Sequence, residues 1–138
     1  MSLFSSMAVA GSGLEAQSLR LNTIASNLAN ANTVAGSAEG AYRARLPVFE
    51  TVYAGESALR DAITGVRVAG VRSSAVPPVQ EYDPGHPLAD GDGYVYRPQI
   101  NAADEMANMI AASRAYQSGV EAMNTTKQLL LRTLTLGR

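Results

Sequence analysis

The side chains best able to do chemistry here are one histidine, a pair of aspartates around a glycine, and a few methionines. His86 is the single histidine and lies between Gly85 and Pro87, in a stretch that reads as an exposed turn. A Ser-His-Asp arrangement needs a scaffold that orients the imidazole and donors for an oxyanion, and nothing beside His86 supplies either. Asp90-Gly91-Asp92-Gly93 has the beginning of a calcium loop. A full loop needs more oxygen ligands at fixed spacing and a distal bidentate glutamate. Tyr94-Val95-Tyr96 follows instead, so the stretch reads as a hairpin turn. No glycine-rich loop leads into a helix with the Lys-Ser/Thr that cradles phosphate. There is no cysteine, which excludes disulfides, thiol catalysis and thiolate metal sites. Met106, Met109 and Met123 recur at helical spacing and read as packing rather than as a cofactor box. The expectation is no catalytic residue, no metal and no cofactor, hence not an enzyme.

The elements that would hold these residues are dominated by the two ends of the chain. From Ala102 to Leu136 there is no proline and one interior glycine, Gly119. Met106, Met109, Ser113, Tyr116, Val120, Met123, Lys127, Leu130 and Leu134 form a ladder of alternating three- and four-residue steps, a heptad seam on a helix of roughly 34 residues, about 50 Å long. Asn101 is its expected cap, with Asp104 and Glu105 favouring the dipole in the first turn. So long a helix in a chain of 138 residues needs a partner helix.

The other end supplies one. Leu3, Met7, Ala10, Leu14, Gln17, Leu21, Ile24 and Leu28 repeat the same period, which implies a left-handed supercoil. Ser2 is the expected N-cap, and Asn30-Ala31-Asn32-Thr33 the expected stop, because Asn and Thr there bond to the backbone. Between Leu3 and Asn30 only Glu15 and Arg20 are charged. A wet helix face normally carries charge, so much of this helix is expected to be covered by other copies or other proteins. Gly11 and Gly13 mark a kink, a close helix contact or a later start. In an antiparallel pairing, Leu21, Ile24 and Leu28 would face Leu130, Met123 and Tyr116.

Between the helices the character changes. All six prolines, six of the twelve glycines and five of the six tyrosines fall between 41 and 100. Val34 to Gly40 reads as a mobile loop. Tyr42–Leu46 reads as a strand, Val48–Tyr53 as strand or helical turn, and Gly65–Arg72 as an alternating strand with one side buried. Pro77-Pro78 breaks that strand. Glu81 to Gly85 forms a turn in which Pro84 presets φ and Gly85 takes φ > 0. Tyr94–Tyr96 is a last short strand, ended by Pro98. The fold class is therefore mainly α with a small β part: long N- and C-terminal helices paired as a coiled coil, with short β-hairpins and loops between. The divisions are 1–32, 33–101 and 102–138, with both helices forming one structural unit. A middle of about 60 residues is marginal by itself and is expected to lean on the helices and on neighbouring subunits.

The net charge of −1 gives no reason to expect nucleic acid. No run reaches the ~18 apolar residues that read as a membrane span. The first residues, Met1 to Ser6, lack the basic region of a secretory signal, so the sequence alone reads as cytoplasmic unless another export route takes it.

Three stretches together resemble the rod and hook proteins of the bacterial flagellum. They are Ser26-Asn27-Leu28-Ala29-Asn30-Ala31-Asn32-Thr33, Ser113-Arg114-Ala115-Tyr116-Gln117, and Leu129 to Gly137 (Leu-Leu-Leu-Arg-Thr-Leu-Thr-Leu-Gly). The short middle, with Tyr82-Asp83-Pro84-Gly85-His86-Pro87-Leu88-Ala89-Asp90 and Gly93-Tyr94-Val95, is most similar to the proximal-rod members. Gly119 departs from the pattern, where a larger residue such as Asn is expected. The resemblance implies a structural subunit of the proximal rod, assembled helically in the periplasm, transmitting torque and lining the export channel. It implies as partners other copies of the chain, other rod proteins, the rod-base adaptor and, in transit, the flagellar type III export apparatus, without a cleavable signal and without bilayer insertion. It also implies a contact of Phe49 and Tyr53 with the export gate, although packing of the middle region explains that pair equally well. The free chain is expected to have disordered termini.

Two other classes compete. A needle- or translocon-like subunit of another type III system would share the helices but not the Asn30–Thr33 stretch or the β-rich middle. Membrane binding by an amphipathic helix needs a basic polar face, and the N-terminal helix offers one arginine.

Overall fold

The computed structural model describes residues 3–53 and 63–136. Ser2 and Gly137, and the side chain of Leu3, lie outside the described residues. The elements run α1 (Leu3–Asn30), β1 (Arg45–Tyr53), β2 (Ile63–Ser73), β3 (Val79–Tyr82), β4 (Tyr94–Arg97) and α2 (Ala102–Leu136). The strands form two sheets of two, β1-β2 and β3-β4. The fold is mainly helical with a small β part. Contacts gather into two compact units, Met1–Leu21 with Pro47–Gly70 and Ala111–Arg138, and Asn22–Leu46 with Val71–Ile110.

α1 stops where its polar residues reach the backbone. The Asn30 amide donates to the Ser26 carbonyl at 2.8 Å, and the Thr33 hydroxyl donates to the Asn30 carbonyl at 2.8 Å. These bonds occupy carbonyls that the helix end would leave without partners. α2 starts on Asn101, whose side-chain oxygen accepts the Ala103 N–H at 3.0 Å. Gly11 and Gly13 do not break α1, which is continuous from Leu3.

In the first unit the two helices run against each other. A Cβ built at Gly119 would stand 2.9 Å from Cδ2 of Leu14, and one built at Gly11 would stand 3.6 Å from Cε of Met123. Gly119 is thus the socket for Leu14, which a larger residue would fill. Gly11 marks a close helix contact. Met123 beside Gly11 also corrects the expected register. Ile24 is thirteen residues further along α1, about 20 Å at the helical rise, so it cannot face Met123.

The inward ladder of α2 is turned by one residue from the expected seam. Glu105, Met109, Ser113, Gly119, Met123, Thr126 and Leu130 are half-buried and Ala112 is buried, with Tyr116 at the margin. Met109, Ser113, Tyr116, Met123 and Leu130 belong to both ladders. Met106, Lys127 and Leu134 face outward, Met106 at 53% and Leu134 at 69% exposure, and Val120 lies at the same margin as Tyr116. The apolar period alone did not show this, because the small residues Ala112, Gly119 and Thr126 are interspersed with larger ones on the inward line and let backbones approach.

In the second unit β3 and β4 pair antiparallel, with Glu81 opposite Val95 and Tyr82 opposite Tyr94. Val95 is fully buried. The outward side carries Tyr82 and Tyr94, whose rings meet edge to face at 5.2 Å. The loop after α1, expected to be mobile, is tied to this sheet: Ala35 and Tyr96 exchange both backbone bonds at 2.9 Å. β3 covers residues read from sequence as the start of a turn. The turn itself begins at Asp83, whose carbonyl accepts the His86 N–H at 3.1 Å. Gly85 does not adopt positive φ; Gly93 does, at 82°, so the left-handed residue sits at the end of the Asp90–Gly93 turn. β1 takes in only Arg45 and Leu46 of the stretch read as a strand from Tyr42, and runs on through Pro47 to Tyr53. The alternation in β2 does not bury one side: Val66 and Val71 are both exposed. A ribbon of two strands lacks a third layer to cover it.

Candidate functional site

Asn27 is a densely bonded side chain of the second unit. It is 2% exposed on the last turns of α1. Its side-chain oxygen accepts the Arg45 N–H at 2.7 Å and the Tyr42 hydroxyl at 3.0 Å. Its amide donates to the Arg45 carbonyl at 3.0 Å and to Oε2 of Glu105 at 3.5 Å. Asn27 therefore treats Arg45 as a neighbouring strand would, taking both backbone groups at the start of β1. The Tyr42 hydroxyl also meets Ser26 Oγ at 3.0 Å. Both donors and the acceptor oxygen of Asn27 are in use, which burial demands. The arrangement binds the end of α1 to the entering strand and to the first turn of α2. It offers no nucleophile and no open polar atom.

A second polar node closes the β3-β4 hairpin. Oδ1 of Asp90 accepts the Tyr94 N–H at 2.8 Å and the Asp92 N–H at 3.0 Å, and Oδ2 accepts the Tyr96 hydroxyl at 3.3 Å. The Tyr94 N–H leads the bonds that hold the Asp90 carboxyl below its ordinary range, against some desolvation. Desolvation first, then the bond and charge of Asp90, push the Tyr96 phenol up. This is a turn that spends its carboxylate on its own backbone. Among the described residues no group of three or more His, Asp or Glu side chains is placed to hold a metal ion. His86 is half-buried rather than exposed, and its Nδ1 accepts the Leu88 N–H at 3.1 Å.

The remaining residues singled out from sequence divide by exposure. On α1, Met7, Ala10, Leu14, Gln17, Leu21 and Leu28 are half-buried and Ile24 is buried. Of the motif residues, Asn27 is buried, Asn30 and Asp83 are half-buried, and Ala29, Asn32, Thr33, Pro84, Gly85, Arg114 and Tyr116 are exposed. Sequence reasoning missed Ser12, which accepts the Val66 N–H at 3.1 Å while donating to the Val9 carbonyl at 2.9 Å, and so clips β2 to α1. It also missed Tyr42 and Glu105 as partners of Asn27. A buried asparagine needs several partners, and that need is the signal that points to them. Large apolar side chains remain open on α2 (Met106, Ile110, Leu129, Leu131, Leu134) and on the β1-β2 ribbon (Leu46, Phe49, Tyr53, Val71). Among the described residues no helix is long and apolar enough to cross a membrane.

Comparison with known proteins gives the family. Residues 7–36 match the family described as "Flagella basal body rod protein", and residues 92–136 the family described as "Flagellar basal body rod FlgEFG protein C-terminal". The chain is 46% identical to the flagellar basal-body rod protein FlgC of Salmonella typhimurium, over all of both chains. It is 49% identical to that of Escherichia coli O6:H1, again over all of both. With the FlgC of Borreliella burgdorferi it shares 36%, over 99% of this chain and 98% of the relative. Identity of this degree over whole chains sets aside the needle- or translocon-like reading: the chain belongs to the FlgC family of flagellar basal-body rod proteins.

Proposed function

We propose that this chain is a structural subunit of the proximal flagellar rod and does no catalysis. What carries the reading is full-length identity of 46–49% to proteins named as rod subunits, in a chain whose C-terminal helix leaves much apolar surface open. Its partners are other copies, other rod proteins and the rod-base adaptor. A heterologous contact repeated along a helical path gives a tube rather than a closed dimer. In that tube the terminal helices line the channel, residues 33–101 face neighbouring subunits, and torque passes through the helices. The chain reaches the periplasm through the flagellar type III apparatus. Phe49 and Tyr53, both exposed and on one side of β1 by strand alternation, are available to the export gate.

Cryo-electron microscopy of isolated basal bodies tests this reading. Density for the chain within the rod, with its helices on the channel, is the expected result; intact rods lacking the chain would refute it. Hydrogen exchange on dilute free chain should show weakly protected helix termini that become protected in the rod. Strong protection of both helices in the free chain would overturn the assembly-coupled ordering.

A further inference from the structure

The second unit carries two exposed patches of opposite character. One is the outward side of β3-β4. Tyr82 stands 65% exposed with Leu88 at 51%, and acidic residues gather around it. Glu39, Asp90 and Asp92 all act electrostatically on the Tyr96 hydroxyl, and Asp83 opens the adjoining turn. The other patch is the root of the β1-β2 ribbon. Leu46 and Arg72 are exposed there and share one side, since Ala44 pairs with Ser74 and side chains alternate along each strand; Arg45 and Val71, also exposed, take the other side. The backbones of this root are joined by the Ser74 N–H on the Ala44 carbonyl at 2.7 Å.

We infer that the tyrosine face of one copy receives the arginine-flanked ribbon root of a second copy, as one repeating head-to-tail contact. This rests on the reading of the chain as an assembling rod subunit and names the surfaces that a copy uses on the next. The argument is charge and shape of chemistry together. Arginine stacks on tyrosine rings and pairs with carboxylates, and Tyr and Arg are the residue types enriched at interface centres. Apolar Leu46, with Arg72 beside it, meets the exposed Tyr82 and Leu88. The patches differ from one another, so the contact is heterologous and propagates without closing. Asp90 is committed to its own turn, which leaves Asp92, Asp83 and Glu39 to meet the arginines.

The test uses the full chain and its self-association measured by sedimentation velocity at several salt concentrations. Arg72→Glu and Asp92→Arg, both at exposed positions, should each weaken self-association about tenfold at low salt, and the double reversal should restore it to within about threefold. Tyr82→Ala should weaken it by about tenfold or more. Raising ionic strength should weaken the wild type and leave less difference among the variants. Circular dichroism confirms unchanged helix content in each variant. Single reversals without effect, or a double reversal that fails to restore, would overturn the contact. A chain that enters rods but does not self-associate at any salt would overturn the second copy as occupant. Loss of swimming in Leu28→Ala, tested in parallel, reports on the rod reading separately, so either idea can fail alone.

Discussion

The two long helices carry similar heptad periods and use them differently. α1 is covered over most of its circumference by its own chain; Phe4, Ala8, Glu15, Ser18, Asn22, Ala25 and Ala29 form its one exposed stripe. α2 shows the reverse, a single covered line with most of its surface open, including large apolar side chains. The near absence of charge on α1 suggested covering by other molecules. Much of the cover is intramolecular, supplied in the first unit by α2 at Gly119 and by β2 at Ser12, and in the second by the Tyr42–Arg45 segment around Asn27. The lesson is that period locates a face, while residue size and hydrogen-bonding need decide which neighbour takes it.

If α1 is the internally held helix, truncation at its buried face should cost most. Ile24→Ala, at a site 6% exposed, is expected to lower unfolding stability by about 3–4 kcal/mol, from lost transfer energy and the cavity left behind. Urea denaturation followed by circular dichroism measures it, and a loss near zero would break the contrast between the helices. Asn27→Ala should follow at about 2–3 kcal/mol, because the Arg45 backbone and the Tyr42 hydroxyl lose their shared partner in a buried place. The same change at exposed Asn22 is the control and should barely move the midpoint.

Gly119 sharpens the comparison from the side of α2. Gly119→Val drives atoms toward Leu14 and should cost about 1–2 kcal/mol by overpacking, whereas Ser118→Val, exposed one residue away, should not. Leu14→Ala opens the socket, so the double variant should be more stable than the sum of the single losses predicts; a double-mutant cycle reads that coupling. Strict additivity would mean that the helices shift apart instead of clashing.

The hairpin supplies an acid-sensitive reference that belongs to neither helix. Asp90 is more acidic folded than unfolded. Its contribution is therefore fully present above the unfolded-state carboxylate value and is lost as pH falls through the lower folded value. Hairpin protection, read by hydrogen exchange at Tyr94 and Tyr96, should fall with acid in the wild type. In Asp90→Asn it should start lower and vary less with pH. An identical pH profile in both would remove Asp90 from the account.

The general architecture was legible in sequence because it rests on period and punctuation: two unbroken heptad runs, Asn101 at one helix start, Asn30 and Thr33 at the other's end. The finer site was not. Ala112, Gly119 and Thr126 gave no apolar signal, since close backbone approach depends on what is missing from a side chain. β3 was hidden by the Pro78 before it and the Asp83-Pro84-Gly85 turn after it, and it exists because Val79–Tyr82 pairs with the better-marked β4. The partners of Asn27 lie 15 to 78 residues away in sequence, beyond the reach of any local pattern.

The smallest effect on stability should come with a large effect on function. Leu134 is 69% exposed on α2, so Leu134→Ala removes almost no intramolecular packing and should change stability by less than about 0.5 kcal/mol. If the open side of α2 exists to be covered by other rod subunits, the same variant should fail to enter rods and abolish swimming while the chain is still made and folded. Soft-agar motility and the composition of isolated basal bodies measure this. Normal swimming would mean that an exposed leucine on α2 is merely tolerated, and that the contrast between the helices carries no consequence for assembly at that position. A stability loss comparable with Ile24→Ala would mean instead that the end of α2 is buried in the free chain, and the contrast itself would be wrong.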